Sequence, residues 1–340
     1  MASADMQEPP WCLPPRELES WYQENIQKGT TLFDDTCSKA VNEVVKTIQK
    51  ICSTDKVVFD VSKIVKGGSL GKGTMVKDFS DIDLVAFICP PQLKPVKEVG
   101  LHNYQQQLKT ILTDLKRELE IEIGERSRSF RTTNFSVQFS IRVDREWLDV
   151  DLLPTAKNVP DDKKGKLDLF QTMLAESWWD RKFYSVSFVK SQLEFIQDQD
   201  GCVKELIRLV KYWAHKKLPG NLHHSYPLEL ITIFRWQRGG KQKRFSLALG
   251  LKSVLLMLTS LRGIRTYWKG RYSKAFANQV IDKLYTTRPV MLDPINPTSN
   301  VFEIYHDDDN LEVINVEAWK TLRSDLLKGV VLRRRQRWCR

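Results

Sequence analysis

Gly67-Gly68-Ser69-Leu70-Gly71-Lys72-Gly73-Thr74, followed seven residues later by Asp81-Ile82-Asp83, is the stretch on which the reading of this chain turns. A glycine-rich turn offers backbone N–H groups to phosphate oxygens, and Ser69 adds a hydroxyl. Asp81 and Asp83 are spaced i, i+2. On a strand their carboxylates share one face, roughly 7 Å apart along the chain. That arrangement suits Mg²⁺, which takes oxygen ligands from a few carboxylates plus substrate phosphates. The pairing of loop and acids points to chemistry on a nucleoside triphosphate. A Walker loop, G-x-x-x-x-G-K-[ST], would require glycine at 66 and Ser or Thr at 73, where the chain has Lys66 and Gly73. The kinase pattern G-x-G-x-x-G fails as well.

Outward from this stretch, Val57–Val65 reads as a strand leading into the loop, and Asp81–Ile88 as a second strand stopped by Pro90-Pro91. Residues 136–143 alternate Val137, Phe139, Ile141 and Val143 with polar neighbours, a half-buried strand. Trp147–Leu153 is a further strand, stopped by Pro154. It carries Asp149 and Asp151 on one face, and either could complete a carboxylate set with Asp81 and Asp83; spacing leaves both open. Helical spacing predicts helices over 16–28, 35–52 and 104–120. Lys157–Lys166, KNVPDDKKGK, reads as a surface linker. Beyond it the pattern predicts helices over 186–197, 203–217, 227–237, 246–262, 273–285 and 317–328. The expected fold is therefore α+β: residues 1–160 form a core with a mixed β-sheet, and residues 161–340 form a helical lobe closing over the cleft. The tail Arg333–Arg335, Arg337 and Arg340 is a basic end.

The 340 residues carry a net charge of +11, and 41% are hydrophobic. The length suits two domains, and the excess of positive charge favours a polyanionic partner. Six scattered cysteines, with no Cys-x-x-Cys, predict reduced thiols in a cytoplasmic protein. Met1–Pro10 is too polar for a signal peptide, and the apolar stretch around Ser253–Leu261 is too short to cross a bilayer. The expectation is a monomer with no membrane partner.

The ordered set Gly67-Gly68-Ser69, Asp81-x-Asp83 and a distant single Asp resembles the nucleotidyltransferase superfamily that includes DNA polymerase β. The fuller wording, IVKGGSLGKGT and SDIDLVAF, is similar to the 2′-5′-oligoadenylate synthetases. Asp151-Leu-Leu-Pro, Leu206-Ile-Arg-Leu-Val-Lys-Tyr-Trp213, Tyr226-Pro-Leu-Glu-Leu230 and Arg288-Pro-Val-Met-Leu-Asp-Pro294 extend the likeness over about residues 35–300. The resemblance implies a two-lobed, polymerase-β-like nucleotidyltransferase polymerising ATP into 2′-5′-linked oligoadenylates with release of pyrophosphate. It assigns Asp81, Asp83 and Asp151 to catalysis and to two Mg²⁺ ions. It assigns Gly68 and Ser69 to the triphosphate, and Arg208, Lys211 and Tyr226 to the donor nucleotide. The stripe Lys204, Arg208, Lys211 and His215 on one helix agrees with a phosphate-facing role. The family's activator is double-stranded RNA. Lys66 and Lys72 match its basic positions, and Lys46 and Lys50 add a lysine row on the second helix. The chain departs from the family at Glu194 and Gln197-Asp-Gln-Asp200, where related synthetases carry basic residues, and at Ser225 beside the matching tyrosine. Ser225 leaves a cyclic dinucleotide, made from ATP or GTP, as an alternative product. A non-catalytic nucleic-acid-binding module is the third reading.

Overall fold

The computed structural model describes residues 9–54, 56–77, 81–285 and 287–332; the basic run Arg333–Arg335, Arg337 and Arg340 lies outside them. The helices expected over 16–28 and 35–52 are one rod: α1 (Leu18–Tyr22) passes through a π turn, Gln23–Gln27, into α2 (Lys28–Ser53). Gly29-Thr30-Thr31 is poor in helix propensity. However, Leu18, Tyr22 and Ile26 are pinned in one core and Phe33, Ala40, Val44 and Ile48 in another. Burial at both ends outweighs the up to about 1 kcal/mol that each unfavourable residue costs.

The chain continues through β1 (Val61–Lys66), α3 (Gly68–Lys72), β2 (Ile82–Ile88), α4 (Val96–Val99), α5 (Leu101–Ile123), β3 (Ser127–Thr132), β4 (Val137–Val143) and β5 (Glu146–Thr155). These five strands form one mixed sheet in the order β1-β2-β5-β4-β3. All neighbours are antiparallel except β2 and β5. Then follow α6 (Lys163–Ala175), α7 (Trp178–Ser185), α8 (Val189–Gln197), α9 (Gly201–Lys217), α10 (Ser225–Arg238), α11 (Leu247–Leu258), β6 (Arg265–Thr266), α12 (Lys274–Leu284), β7 (Val290–Met291), α13 (Asp308–Leu322) and α14 (Asp325–Lys328).

The expected α+β class, a mixed sheet followed by helices, is what the chain adopts. Some elements differ from the pattern. β3, SRSFRT, is a polar edge strand whose pairing shifts register between Arg128 and Arg131, so alternation does not mark it. The expected linker already turns helical at Lys163, because Asp162 accepts from Gly165 N at 2.7 Å and caps α6. The helix expected over 317–328 is two: α13 starts earlier, since Asp307 caps it through Asp309 N and Asn310 N, and ends at Leu322 before α14 begins at Asp325.

Two large cores organise the molecule, and they do not divide at residue 160. One packs α2 and α5 against the sheet and draws in Leu169, Met173, Phe183, Tyr184 and Phe188 from beyond that point. The other, built on α9, α10 and α11, takes in Trp11, Leu18, Tyr22 and Ile26 from the N-terminal end. The rod α1–α2 therefore joins both lobes. No helix among the described residues is long and apolar enough to cross a membrane.

Candidate active site

Strand alternation decides where the acids point. Ile82, Leu84, Ala86 and Ile88 of β2 and Leu148, Val150 and Leu152 of β5 enter the sheet core. Asp81, Asp83, Asp149 and Asp151 therefore share the opposite face. There Val85 packs with Val65 and Leu193 of α8, which roofs one end of that face.

β2 and β5 run parallel with Asp83 directly opposite Asp151. Adjacent strands lie about 4.8 Å apart, so residues distant in sequence become immediate neighbours. The structure also separates Asp149 from Asp151. Asp149 accepts from Ser140 Oγ at 2.6 Å across the β4–β5 pair. Asp151 Oδ1 is buried and has no hydrogen-bond partner, an arrangement that suits an external cation or proton. Burial raises Asp83 to about 6, helped by the charges of Asp151 and Asp81 and opposed by Lys72 and Lys211. The surrounding protein, together with Asp149 and Asp151, also raises Asp81. Mutual repulsion of this kind is what a divalent cation relieves. The carboxylates do not form a ready-made cage: no group of three or more potential ligands stands within metal-holding geometry among the described residues. A cavity of about 360 Å³ opens beside them, lined by Asp81, Asp149, Asp151, Ser129, Arg131 and Gln138.

The glycine loop is built around Asp83. Gly67 N donates to Asp83 O at 2.7 Å, so the loop leaves β1 still bonded to β2. Gly68 has φ +51°, and a Cβ there would lie 1.7 Å from Asp83 Oδ2. Only glycine lets the backbone pass this close in the left-handed region. α3 then ends at Gly73, φ +69°.

Behind the loop lies a network that sequence reasoning missed. Glu229, in α10, is fully buried. It accepts from Lys72 Nζ at 2.9 Å and from Thr74 Oγ1 at 2.6 Å, and lies 3.8 Å from Lys211 Nζ. Lys211 donates to Ser69 Oγ at 2.5 Å and to Thr74 O at 2.9 Å. Its side chain has no exposed surface, and burial pushes its pKa down to about 8. Lys72 also sits 4.2 Å above the Tyr226 ring. The expectation that Lys72 contacts RNA is corrected here. The residue is 8% exposed, and its ammonium is turned inward because Glu229 and Tyr226 attract it. The sequence held one signal for Glu229: a carboxylate in the apolar run of α10, where an acid requires a partner.

Arg208 donates to Gly73 O at 2.8 Å and to Tyr22 and Gln27 at 3.3 Å, tying loop, rod and α9 together. The Tyr226 hydroxyl is buried beside Asp293 without hydrogen-bond geometry, and its pKa is raised by burial first and then by that carboxylate. Asp293 is itself fixed by Gln192 Nε2 at 2.9 Å and by the N–H groups of Ile295 and Asn296. The structure thus links Gly68 to Asp83 by direct contact and gathers Ser69, Lys211, Lys72 and Tyr226 around the loop through Glu229 and the Tyr226 ring. Lys46, Lys50 and Lys66 are exposed, with Lys50 paired to Glu122.

A nucleotidyltransferase domain model matches residues 45–134, and the model for 2′-5′-oligoadenylate synthetase 1, domain 2, C-terminus matches residues 167–339. Mouse 2′-5′-oligoadenylate synthase 3 is 29% identical over 86% of this chain, which spans only 27% of that longer protein. Mouse 2′-5′-oligoadenylate synthase 1A is 30% identical, covering 85% of this chain and 83% of its own. A rat protein named inactive 2′-5′-oligoadenylate synthase 1B is 31% identical over 71% of this chain and 67% of its own. Among solved structures, E. coli MS115-1 CdnC with ATP superposes with a TM-score of 0.58 at 19% identity, covering 90% and 89% of the two chains. The Cid1 poly(U) polymerase gives 0.52 at 15%, covering 90% and 92%. Both likenesses concern the fold, which is that of a polymerase-β-like nucleotidyltransferase. Matched by its two domain models in order, and sharing nearly its full length with the type 1A synthases, the chain belongs to the 2′-5′-oligoadenylate synthetase family.

Proposed function

We propose that the protein is a double-stranded-RNA-activated, Mg²⁺-dependent enzyme that joins ATP into 2′-5′-linked oligoadenylates and releases pyrophosphate. One observation carries the reading: Asp83 and Asp151 stand in register on adjacent parallel strands, with a glycine loop fitted over the first. Family membership alone is insufficient, since one relative is named as inactive.

In this reading Asp81, Asp83 and Asp151 hold two Mg²⁺ ions, which when bound lower the attacking hydroxyl's pKa and offset charge on the leaving pyrophosphate. Asp151 Oδ1, buried and unpartnered, accepts the 2′-hydroxyl proton. Gly68 and Ser69 present backbone N–H and hydroxyl groups to the triphosphate. Lys211 polarises the Ser69 hydroxyl from behind, and Tyr226 stacks on the donor base. Arg208 acts on the nucleotide by fixing the loop through Gly73 O. RNA phosphates would meet Lys46, Lys50 and Lys66, a contact indifferent to sequence. Lys66 immediately precedes the loop, so a ligand held there biases the loosely arranged carboxylates toward the reactive geometry.

The test is incubation with ATP, Mg²⁺ and double-stranded RNA, with products resolved by mass and linkage. Linear 2′-5′ adenylates that vanish in Asp83→Asn are expected, and an absence of nucleotide product under every metal and RNA condition refutes the proposal. A second reading, a cyclic dinucleotide from ATP or GTP, rests on Ser225 beside Tyr226. Cyclic products from mixed nucleotides would select it.

A further inference from the structure

On the helical side a second hollow, about 320 Å³, shares no lining residue with the acid cavity. Its rim is Trp178 of α7, 48% exposed, a large indole presented to solvent. Lys182, one turn on, holds its ammonium 3.5 Å over that ring. Arg181 is 8% exposed, and its guanidinium donates to a carbonyl, Glu176 O, at 3.1 Å. Glu303, which also lines the hollow, acts electrostatically on Lys182. The floor is rigid: Tyr285 Oη donates to Thr298 O at 2.6 Å and accepts from Asn300 N at 3.0 Å. Ser185, Asn296, Ser299 and Ile304 also line it. Two cations against one acid leave the hollow net positive. Beside them sits a flat aromatic face of the kind on which nucleobases stack.

We propose that this hollow binds a nucleoside phosphate outside the catalytic cleft, with the base on Trp178, the phosphate against Arg181 and Lys182, and the ribose hydroxyls toward Glu303. The recognised chemistry is a ring joined to an anion. Neither half alone uses both the indole and the cations. The inference does not depend on the catalytic reading, because nothing in it involves Asp81, Asp83 or Asp151.

The experiment is titration of the full chain with ADP in EDTA, which removes metal-dependent binding at the acids, followed by calorimetry. Adenosine and inorganic phosphate are titrated separately. Saturable ADP binding is expected, tighter than either fragment. Trp178→Ala and Lys182→Ala should each weaken it about ten-fold, the scale of one stacked base or one charge-assisted contact. Thermal melts should show both surface variants folded. Absence of ADP binding, binding indifferent to both variants, or phosphate binding as tight as ADP overturns the proposal.

Discussion

Glu229→Gln tests the reasoning most sharply, because it removes one charge and almost no volume. In the native chain Glu229 stands between two ammonium groups, Lys72 at 2.9 Å and Lys211 at 3.8 Å, with side-chain exposures of 10% and 0%. Glutamine keeps one acceptor oxygen where Glu229 uses two, one for Lys72 and one for Thr74, so the variant loses the countercharge and one acceptor. Removing one partner of a buried ion pair destabilises by about 3–5 kcal/mol. For 340 residues, an unfolding entropy of about 2.1 cal/mol/K per residue turns this into a Tm drop of about 4–7 °C. The pH dependence is fixed in sign. Lys211 is lowered to about 8, burial being the main cause. Between that value and the ordinary lysine pKa the folded state binds fewer protons than the unfolded chain, so stability rises with pH there. Without Glu229 the Lys211 pKa falls further and relief begins earlier. The deficit of Glu229→Gln should therefore be large at about pH 6.5 and smaller at about pH 9.5, measured by thermal melts of variant and parent in parallel. An equal deficit at both pH values, or none at all, would refute the view that uncompensated charge is what Glu229 prevents. In the same variant the Lys72 ammonium beside Tyr226 loses its countercharge, so nucleotide affinity should fall as well.

Other outcomes follow from the same geometry. Gly68→Ala should destabilise by at least about 1–2 kcal/mol through its left-handed backbone alone, and should abolish transfer because its Cβ displaces the Asp83 carboxylate; denaturant melts and product assays read the two effects. Asp83, raised to about 6, must lose its proton to hold a cation, so Mg²⁺ affinity measured by titration should weaken as pH drops below that value and level off above it. Lys46→Glu with Lys66→Glu should weaken double-stranded RNA binding at every sequence and flatten its salt dependence, each lost phosphate contact lowering the slope by about 1. Basal melting temperature should not change, since both side chains are exposed.

Much of this protein was legible along the chain because it depends on local rules. The i, i+2 acids, the glycines before them and the period-2 strands are short-range patterns, and they marked four strands of the sheet, the loop and the candidate carboxylates, but not β3. Helices over α5, α8, α9, α10, α11 and α12 were visible from apolar spacing alone. The rest was decided by contacts between distant segments. Spacing left Asp149 and Asp151 open and the family resemblance chose Asp151; only the fold puts Asp151 in register with Asp83 and gives Asp149 to Ser140. Lys72 reads as one more surface lysine until Glu229, 157 positions away, turns it inward. The two cores each draw residues from both sides of the composition shift near residue 160, because the rod α1–α2 feeds side chains to both and α6–α7 pack on the sheet. A carboxylate's partner, a lysine's exposure and a core's membership are properties of neighbours in space, and a linear chain does not specify those neighbours until it has folded.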